Sequence, residues 1–272
     1  MKDIHSLSSG LQYTVHTVPQ TVKFQKNILY FHGGGLIYGT RNDLPATLLN
    51  IFLESGYTVI SVDYLLAPNT SLVEILKSVQ ANFSELMTTH FPKEPVILAG
   101  RSAGSYLAFQ LAKQLQKQPY PQLIGLINFY GYTDLEFIFQ KSLQQKLQLD
   151  NVHPSLFELS VPIFDDPTLQ RSLLYQYAVT HNLLPEYYQV TPENKAFFGL
   201  TEAEIQQLPR SFNSASASDS EVPFRYSKSL KRLNTHATFF PVYNLEHDFL
   251  NIQNDPQVLQ ILNKLKVWLK EF

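Results

Sequence analysis

The fold is decided by residues 96–104, which read Val-Ile-Leu-Ala-Gly-Arg-Ser-Ala-Gly. Residues 96–99 are apolar and predict a buried strand, and the apolar spacing over residues 103–116 predicts a helix. The turn between them has the pattern G-x-S-x-G, which in a strand-turn-helix context is typical of a nucleophile elbow. Ser102 is therefore the candidate nucleophile.

The physical reason for this pattern lies in the sharpness of the turn. A strand that passes directly into a helix strains the backbone of the residue between them, and glycines two positions away remove side chains that would collide. The hydroxyl of Ser102 is then exposed at a helix N-terminus, where the helix dipole favours developing negative charge.

Working outward, strands and helices alternate along the chain. Short apolar runs predict strands at residues 28–31, 57–62, 123–130, 210–217 and 237–243. Periodic segments predict helices at residues 72–90, 223–233 and 255–269. Residues 13–18 and 22–24 alternate around Pro19 as an edge hairpin would. We expect an α/β fold in one domain, 1–272, with a mostly parallel sheet flanked by helices.

The alternation stops after the strand at 123–130. Residues 133–209 contain several prolines among helical fragments, and we interpret them as an inserted helical cap. In parallel sheets, ligands collect outside the carboxyl ends of the strands, so the loops at that edge are the first place to look for chemistry.

Composition excludes several classes of protein. The net charge is −2 and no long basic run occurs, which argues against nucleic acid as a partner. The first ten residues carry no apolar core, and no apolar stretch is long enough for a bilayer, so we expect a soluble cytoplasmic protein without a membrane partner. The absence of cysteine excludes disulfides, thiolate nucleophiles and zinc-thiolate sites.

Acyl transfer from an ester requires hydrogen-bond donors for an oxyanion as well as a nucleophile. His32 is followed by three glycines, which let the backbone approach a substrate carbonyl. We expect the N–H groups of Gly34 and Gly35 to point inward beside that of Ala103. A phosphate loop is not favoured because the G-x-x-x-x-G-K-[ST] pattern is absent. His32 itself is expected to anchor the loop.

The general base should follow a strand at the same edge as Ser102. His247 lies a few residues beyond the predicted strand 237–243, whereas His236 precedes that strand and belongs to the opposite edge. A metal site formed by Glu246, His247 and Asp248 is not favoured, because no second histidine stands at ligand spacing.

The carboxylate that orients the base should come from the preceding strand's loop, giving the chain order Ser, Asp, His. Asp219 follows the predicted strand 210–217 and is the best candidate. Glu221 is a rival two residues away, and Asp165 and Asp166 in the insertion are weaker ones. A buried carboxylate here would hold the imidazole in the correct tautomer.

These motifs together resemble the hormone-sensitive-lipase-like esterases of the α/β-hydrolase superfamily, which pair an HGGG loop with a G-x-S-A-G elbow. The resemblance runs from about residue 28 onward and includes Asp-Tyr-Leu-Leu-Ala-Pro at 63–68. It implies a catalytic triad of Ser102, Asp219 and His247, an oxyanion hole of Gly34, Gly35 and Ala103, and a cap over the acyl pocket. It also implies hydrolysis of short-chain carboxylic esters through an acyl-enzyme, without metal or cofactor.

Arg101 departs from the family, which usually has an acidic residue at this position. We expect it to make the pocket mouth more positive and to favour anionic substrates. Arg101 and Tyr38 are the candidate substrate-binding residues for a small-molecule ester. The alternatives are a catalytically silent binding protein of the same fold and a peptidase or amidase with the same triad. A homodimer is a reasonable default assembly.

Overall fold

The computed structural model describes residues 1–17, 26–92, 94–118, 120, 122–140 and 152–272. Within these ranges the chain forms eight strands, all of which belong to one sheet. They are β1 Lys2–Ser6, β2 Gln12–His16, β3 Lys26–Phe31, β4 Tyr57–Val62, β5 Val96–Arg101, β6 Leu123–Phe129, β7 Ser211–Ser216 and β8 Ala237–Val242.

The order of the strands across the sheet is β1-β2-β4-β3-β5-β6-β7-β8. Strands β3 to β8 are mutually parallel, while β1 and β2 are antiparallel additions beside β4. The carboxyl ends of the central strands therefore meet at one edge, where Phe31 pairs with Gly100 and Arg101 with Phe129.

Helices cover both faces of this sheet. The α-helices of the described ranges are α1 Ala46–Glu54, α2 Leu72–Glu85, α3 Ala103–Lys117, α4 Ser172–Thr180, α5 Leu184–Tyr188, α6 Glu202–Gln206, α7 Arg225–Leu233 and α8 Pro256–Leu269. A π-helical turn, Leu86–His90, continues α2. The α2 helix begins with a capping box, in which Ser71 and Glu74 bond each other's backbone amides.

Two apolar cores lie on opposite faces of the sheet, because successive side chains of a strand point to opposite sides. Leu29 and Phe31 of β3 pack into the core that also contains buried residues of α2 and α3. Ile28 and Tyr30 of the same strand pack into the core formed with α1 and α8. Burial on both faces explains why the central strands are continuous apolar runs.

The predicted central strands and helices occur close to their expected bounds, but the edge hairpin differs. Gln12–His16 pairs with Lys2–Ser6 on one side and with β4 on the other. The predicted second arm, residues 22–24, lies outside the described residues. The sequence interpretation did not include β1, whose residues are all exposed and carry no apolar alternation.

Between β6 and β7 the described residues form α4, α5, α6 and short 3-10 turns. This insertion packs on α3, where the Tyr106 hydroxyl and the Gln110 amide both donate to the carbonyl of Phe198, at 2.9 and 2.7 Å. None of the helices in the described part of the chain has both the length and the apolar character needed to cross a lipid bilayer.

Candidate active site

Ser102 occupies the tight turn between β5 and α3. Its φ of 49° and ψ of −120° lie in a strained region for a residue with a side chain. A Cβ on Gly104 would lie 2.1 Å from the carbonyl oxygen of Phe31, and one on Gly100 would lie 2.3 Å from the carbonyl carbon of Gly104. Only glycine at both positions lets α3 start this close to β3 and β5.

Three side chains from separate loops form a continuous hydrogen-bonded chain. The Nε2 atom of His247 is 2.8 Å from the Oγ atom of Ser102, and its Nδ1 atom is 2.6 Å from Oδ2 of Asp219. The loops that follow β5, β7 and β8 supply these residues. In this geometry the imidazole can take a proton from the hydroxyl while the carboxylate orients the ring.

Asp219 is held rigidly in its own loop. Its Oδ1 atom accepts from the amides of Glu221 and Val222, both at 2.9 Å, which leaves Oδ2 for His247. Its side chain is fully buried. The rival acids have other hydrogen-bond partners: Glu221 accepts from the Tyr175 hydroxyl at 3.4 Å. In the insertion, Asp165 lies 3.5 Å from Arg41 and Asp166 accepts from the amide of Arg171.

Two opposing effects set the pKa of His247. Burial lowers it, whereas the hydrogen bond and charge of Asp219, with the charges of Glu221 and Asp248, raise it. The raising effects win, so the pKa of His247 lies above the ordinary 6.5. A more basic imidazole is a better proton acceptor for the Ser102 hydroxyl.

The glycine loop after β3 lies beside Ser102. A Cβ on Gly33 would be 3.7 Å from Cβ of Ser102, and Gly34 and Gly35 have φ of 101° and 57°. Within the described residues, the amides of Gly34, Gly35 and Ala103 donate to no acceptor. Backbone N–H groups without partners at such a site suit a developing oxyanion.

Buried aromatic residues hold this loop in place. The ring of His32 stacks on Tyr64 with centroids 4.1 Å apart, and the Tyr64 hydroxyl donates to the carbonyls of His32 and Gly33 at 2.9 and 3.1 Å. The Tyr188 hydroxyl donates to the carbonyl of Gly35 at 2.5 Å. The Nδ1 atom of His32 is also 2.7 Å from the carbonyl oxygen of Gly33, so its ring is engaged by the loop, while His247 occupies the position beside Ser102.

The insertion is tied to the same loop through a buried arginine. Arg171, which immediately precedes α4, donates to the carbonyls of Ile37 and Ala67 and to Oδ1 of Asn69, each at 2.8 Å. The amide of Ala67 in turn donates to the carbonyl of Leu36 at 2.7 Å. The segment 63–68 thus supports the glycine loop from behind. Nothing in the sequence distinguished Arg171 from an ordinary surface arginine.

These elements enclose a cavity of about 370 Å³ at the carboxyl edge of the sheet. Its lining residues are Gly33, Gly34, Gly35, Tyr38, Asp43, Arg101, Ser102, Tyr130, Leu169, Tyr175, Glu221, His247, Asp248 and Asn251. Tyr38 therefore lies where a substrate-binding residue was expected. The cavity brings together the hydroxyl, the imidazole and the glycine loop.

Arg101 lies differently from the expectation that it makes the pocket mouth positive. Its guanidinium is buried, lies 2.8 Å from both Asp43 and Asp248, and donates to Tyr30 at 2.8 Å. Two carboxylates more than balance its charge, so Arg101 gives the cavity no positive potential. It instead links the end of β5 to the loops that follow β3 and β8.

The three side chains of the Glu246–Asp248 segment, considered above as metal ligands, are hydrogen-bonded to other protein groups. Both ring nitrogens of His247 are engaged, Glu246 accepts from Ser220 at 3.0 Å, and Asp248 accepts from Tyr130 at 2.8 Å. Across the part of the chain that the structure describes, no three His, Cys, Asp or Glu side chains are arranged to hold a metal ion.

Comparison with known families agrees with this architecture. A family model described as alpha/beta hydrolase fold matches residues 28–178, which is more than half of the chain. The chain therefore belongs to the α/β-hydrolase family. Within it, the resemblance to the hormone-sensitive-lipase-like group is confirmed.

Two solved structures resemble the chain along its whole length. One is an α/β-hydrolase superfamily protein from Enterococcus faecalis, 40% identical, with a TM-score of 0.92 over 100% of this chain and 99% of that chain. The other is a protein of unknown function from Staphylococcus aureus subsp. aureus Mu50, 25% identical, with a TM-score of 0.86 over 100% and 98%.

A curated relative carries an activity in its name. It is an esterase from Acinetobacter venetianus, 27% identical over 132 residues, which are 48% of this chain and 42% of that protein. The chain thus spans less than half the length of this curated relative.

Proposed function

We propose that this protein is a serine hydrolase that cleaves short-chain carboxylic esters through an acyl-enzyme. The observation that carries the proposal is the continuous contact from Ser102 Oγ through His247 to Asp219, at 2.8 and 2.6 Å. A serine hydroxyl is a weak nucleophile until a positioned base removes its proton. Membership of the α/β-hydrolase family and the esterase relative support the same reaction class.

Each step of the reaction has a residue to perform it. Ser102 Oγ attacks the ester carbonyl carbon while His247 accepts its proton, and the amides of Gly34, Gly35 and Ala103 stabilise the oxyanion. His247 then returns the proton to the leaving alcohol as the acyl-enzyme forms. A water molecule, deprotonated by His247, attacks the acyl carbonyl and releases the acid and Ser102.

The cavity supports a small substrate. Its volume of about 370 Å³ stands near the lower end of small-molecule sites, which range over roughly 300–1,000 Å³. We expect preference for acyl chains of about two to six carbons in a series of p-nitrophenyl esters. Equal or faster turnover of long chains would contradict this part of the proposal.

Covalent labelling tests the reaction class directly. A fluorophosphonate probe should label the intact protein, and Ser102→Ala should abolish both labelling and ester turnover. Ser220→Ala is the matched control, because Ser220 lies in the Asp219 loop but outside the cavity lining. If the intact protein takes no label, or Ser102→Ala keeps it, the proposal fails and a binding protein of this fold becomes the better description.

A further inference from the structure

Glu221 places a carboxylate in the cavity beside Ser102 without a lysine or arginine partner. It is one of the lining residues, and its Oε2 atom accepts from the Tyr175 hydroxyl at 3.4 Å. Within the described ranges, no lysine or arginine lies within ion-pair distance of Glu221. Asp219, two residues away, is committed to His247.

No free lysine or arginine of the cavity compensates for Glu221, whose basic neighbour is the imidazole of His247. Arg101 is the one lining arginine, and Asp43 and Asp248 already occupy its guanidinium. Burial raises the pKa of Glu221, while the charge of neighbouring His247 lowers it and those of Asp219 and Asp248 raise it further. An enclosed carboxylate in this situation is stabilised by any cation that enters the cavity.

Two tyrosines stand beside this carboxylate. The rings of Tyr38 and Tyr175 are 5.7 Å apart at 51° to each other, and both line the cavity. Burial raises the pKa of Tyr38 to about 12, and Glu221 is the charged group that contributes most to the rise. Aromatic faces attract ammonium groups through the ring quadrupole, and they do so most strongly where water is excluded.

This corner of the cavity adjoins the groups that would bind the reacting carbonyl. A Cβ on Gly35 would lie 2.3 Å from Cε2 of Tyr175, so the Tyr175 ring lies directly against the glycine loop. A ligand that contacts the loop amides therefore also lies next to the Tyr175 ring, whose hydroxyl donates to Glu221.

We propose that Glu221, Tyr38 and Tyr175 form a subsite for a compact ammonium group, so that the preferred substrates are esters that carry a positive charge. The inference rests on the proposed ester hydrolysis and names its substrate class. It reverses the expectation of anionic substrates that Arg101 suggested.

Binding to the Ser102→Ala variant tests this subsite without any turnover. Two matched pairs separate charge from shape: acetylcholine against 3,3-dimethylbutyl acetate, with the charge on the alcohol side, and methyl 4-aminobutanoate against methyl pentanoate, with the charge on the acyl side. Calorimetry should show the cationic member of at least one pair binding about tenfold more tightly. Equal or weaker binding of the cationic member in both pairs would overturn the inference.

A second variant locates the effect. Glu221→Gln in the Ser102→Ala background keeps side-chain size and should reduce the cationic preference to about one. Glu246→Gln is the matched control, because Glu246 is an exposed acid in the neighbouring loop that does not line the cavity. A preference that survives Glu221→Gln, or is lost with Glu246→Gln, would show that long-range charge and not this subsite selects the ligand.

The proposed function is tested separately, by hydrolysis of the neutral ester methyl pentanoate by the wild-type protein. Hydrolysis of the neutral ester with equal dissociation constants in both pairs leaves the proposed function standing and removes the subsite. If cation binding is tighter and depends on Glu221, but the wild-type protein hydrolyses neither methyl pentanoate nor methyl 4-aminobutanoate, the subsite is supported and the proposed function is removed.

Discussion

Asp219 and Glu221 show at the residue scale how one turn separates two carboxylates. Both follow β7 within five residues, and the sequence pattern could favour Asp219 but could not exclude Glu221. The deciding contacts are the hydrogen bonds that Oδ1 of Asp219 accepts from two amides of its own loop. They orient its second oxygen, Oδ2, toward His247. Such local turns are specified by backbone geometry that a strand-and-helix pattern does not contain.

Asp219→Asn should reduce kcat by about 10³–10⁴-fold, because an amide cannot hold the imidazole in the required tautomer or stabilise its charged form. Steady-state hydrolysis of a short p-nitrophenyl ester measures this loss. A reduction of less than tenfold would show that another group orients His247.

The pH dependence of kcat/KM should also depend on the contact between His247 and Asp219. His247 must be neutral to act as a base, so kcat/KM rises with pH through its pKa, which lies above 6.5 in the folded protein. Removing the Asp219 charge removes the main raising influence, so the acid limb of the residual activity in Asp219→Asn should move to lower pH. An unchanged limb would mean that a different group controls the profile.

Gly104→Ala tests the close approach of α3 to β3. A methyl group there would meet the backbone carbonyls of Phe31 and His32 at 2.1 and 2.4 Å, so we expect a loss of at least about 3 kcal/mol in the free energy of unfolding. Gly56→Ala is the comparison, since Gly56 has φ of 86° with open space around it and should lose only about 1–2 kcal/mol. Equal losses in urea titrations would argue against the backbone clash.

At the scale of elements, strands and helices with strong periodicity were predictable and weakly patterned ones were not. Helix α1 has no side-chain cap at Pro45, and its apolar residues do not form a simple stripe. Strand β1 is stabilised by pairing with β2 and not by burial. Strand β5 runs past the predicted end at residue 99 through Arg101, because Gly100 still pairs with β3 and β6.

Arg101 links the end of β5 to the loops that follow β3 and β8, so its replacement should destabilise all three segments. Arg101→Met would leave Asp43 and Asp248 without their buried cation. We expect a loss of about 3 kcal/mol in the free energy of unfolding, near the lower end for buried ion pairs because the Asp248 side chain is 51% exposed.

The matched control for this change is Arg232→Met. Arg232 pairs with Glu202 at 3.6 Å with both side chains 70% exposed, so its loss should leave stability nearly unchanged. Urea titration of both variants gives the comparison, and similar values for the two would show that the Arg101 links contribute little to folding.

At the scale of the whole molecule, the two cores share one sheet and should unfold together. Trp268 is the single tryptophan and lies buried in the core with α8, on the face opposite α3. Its fluorescence should therefore change, and the proposed ester activity should be lost, over the same range of urea concentration. Activity that vanishes well before the fluorescence changes would show that the insertion or the cavity loops open independently of the sheet.

The class of fold could be predicted from the order of the elements. The side chains that hold the glycine loop from behind could not be predicted in this way. Parallel strands that alternate with helices leave few topologies, so the edge that carries Ser102 and His247 could be foreseen. Tyr64 and Arg171 could not, because their partners are backbone carbonyls distant in sequence. Contacts of that kind leave no periodic signature.

The hydrogen bonds from Arg171 to the carbonyls of Ile37 and Ala67 limit how this insertion can be exchanged with that of a relative. A replacement segment that lacks a cation at this position would leave the host's carbonyls unpaired beneath the glycine loop. Exchange of substrate range by swapping the region between β6 and β7 therefore succeeds only when the new segment and residues 36–69 are chosen as a matched set.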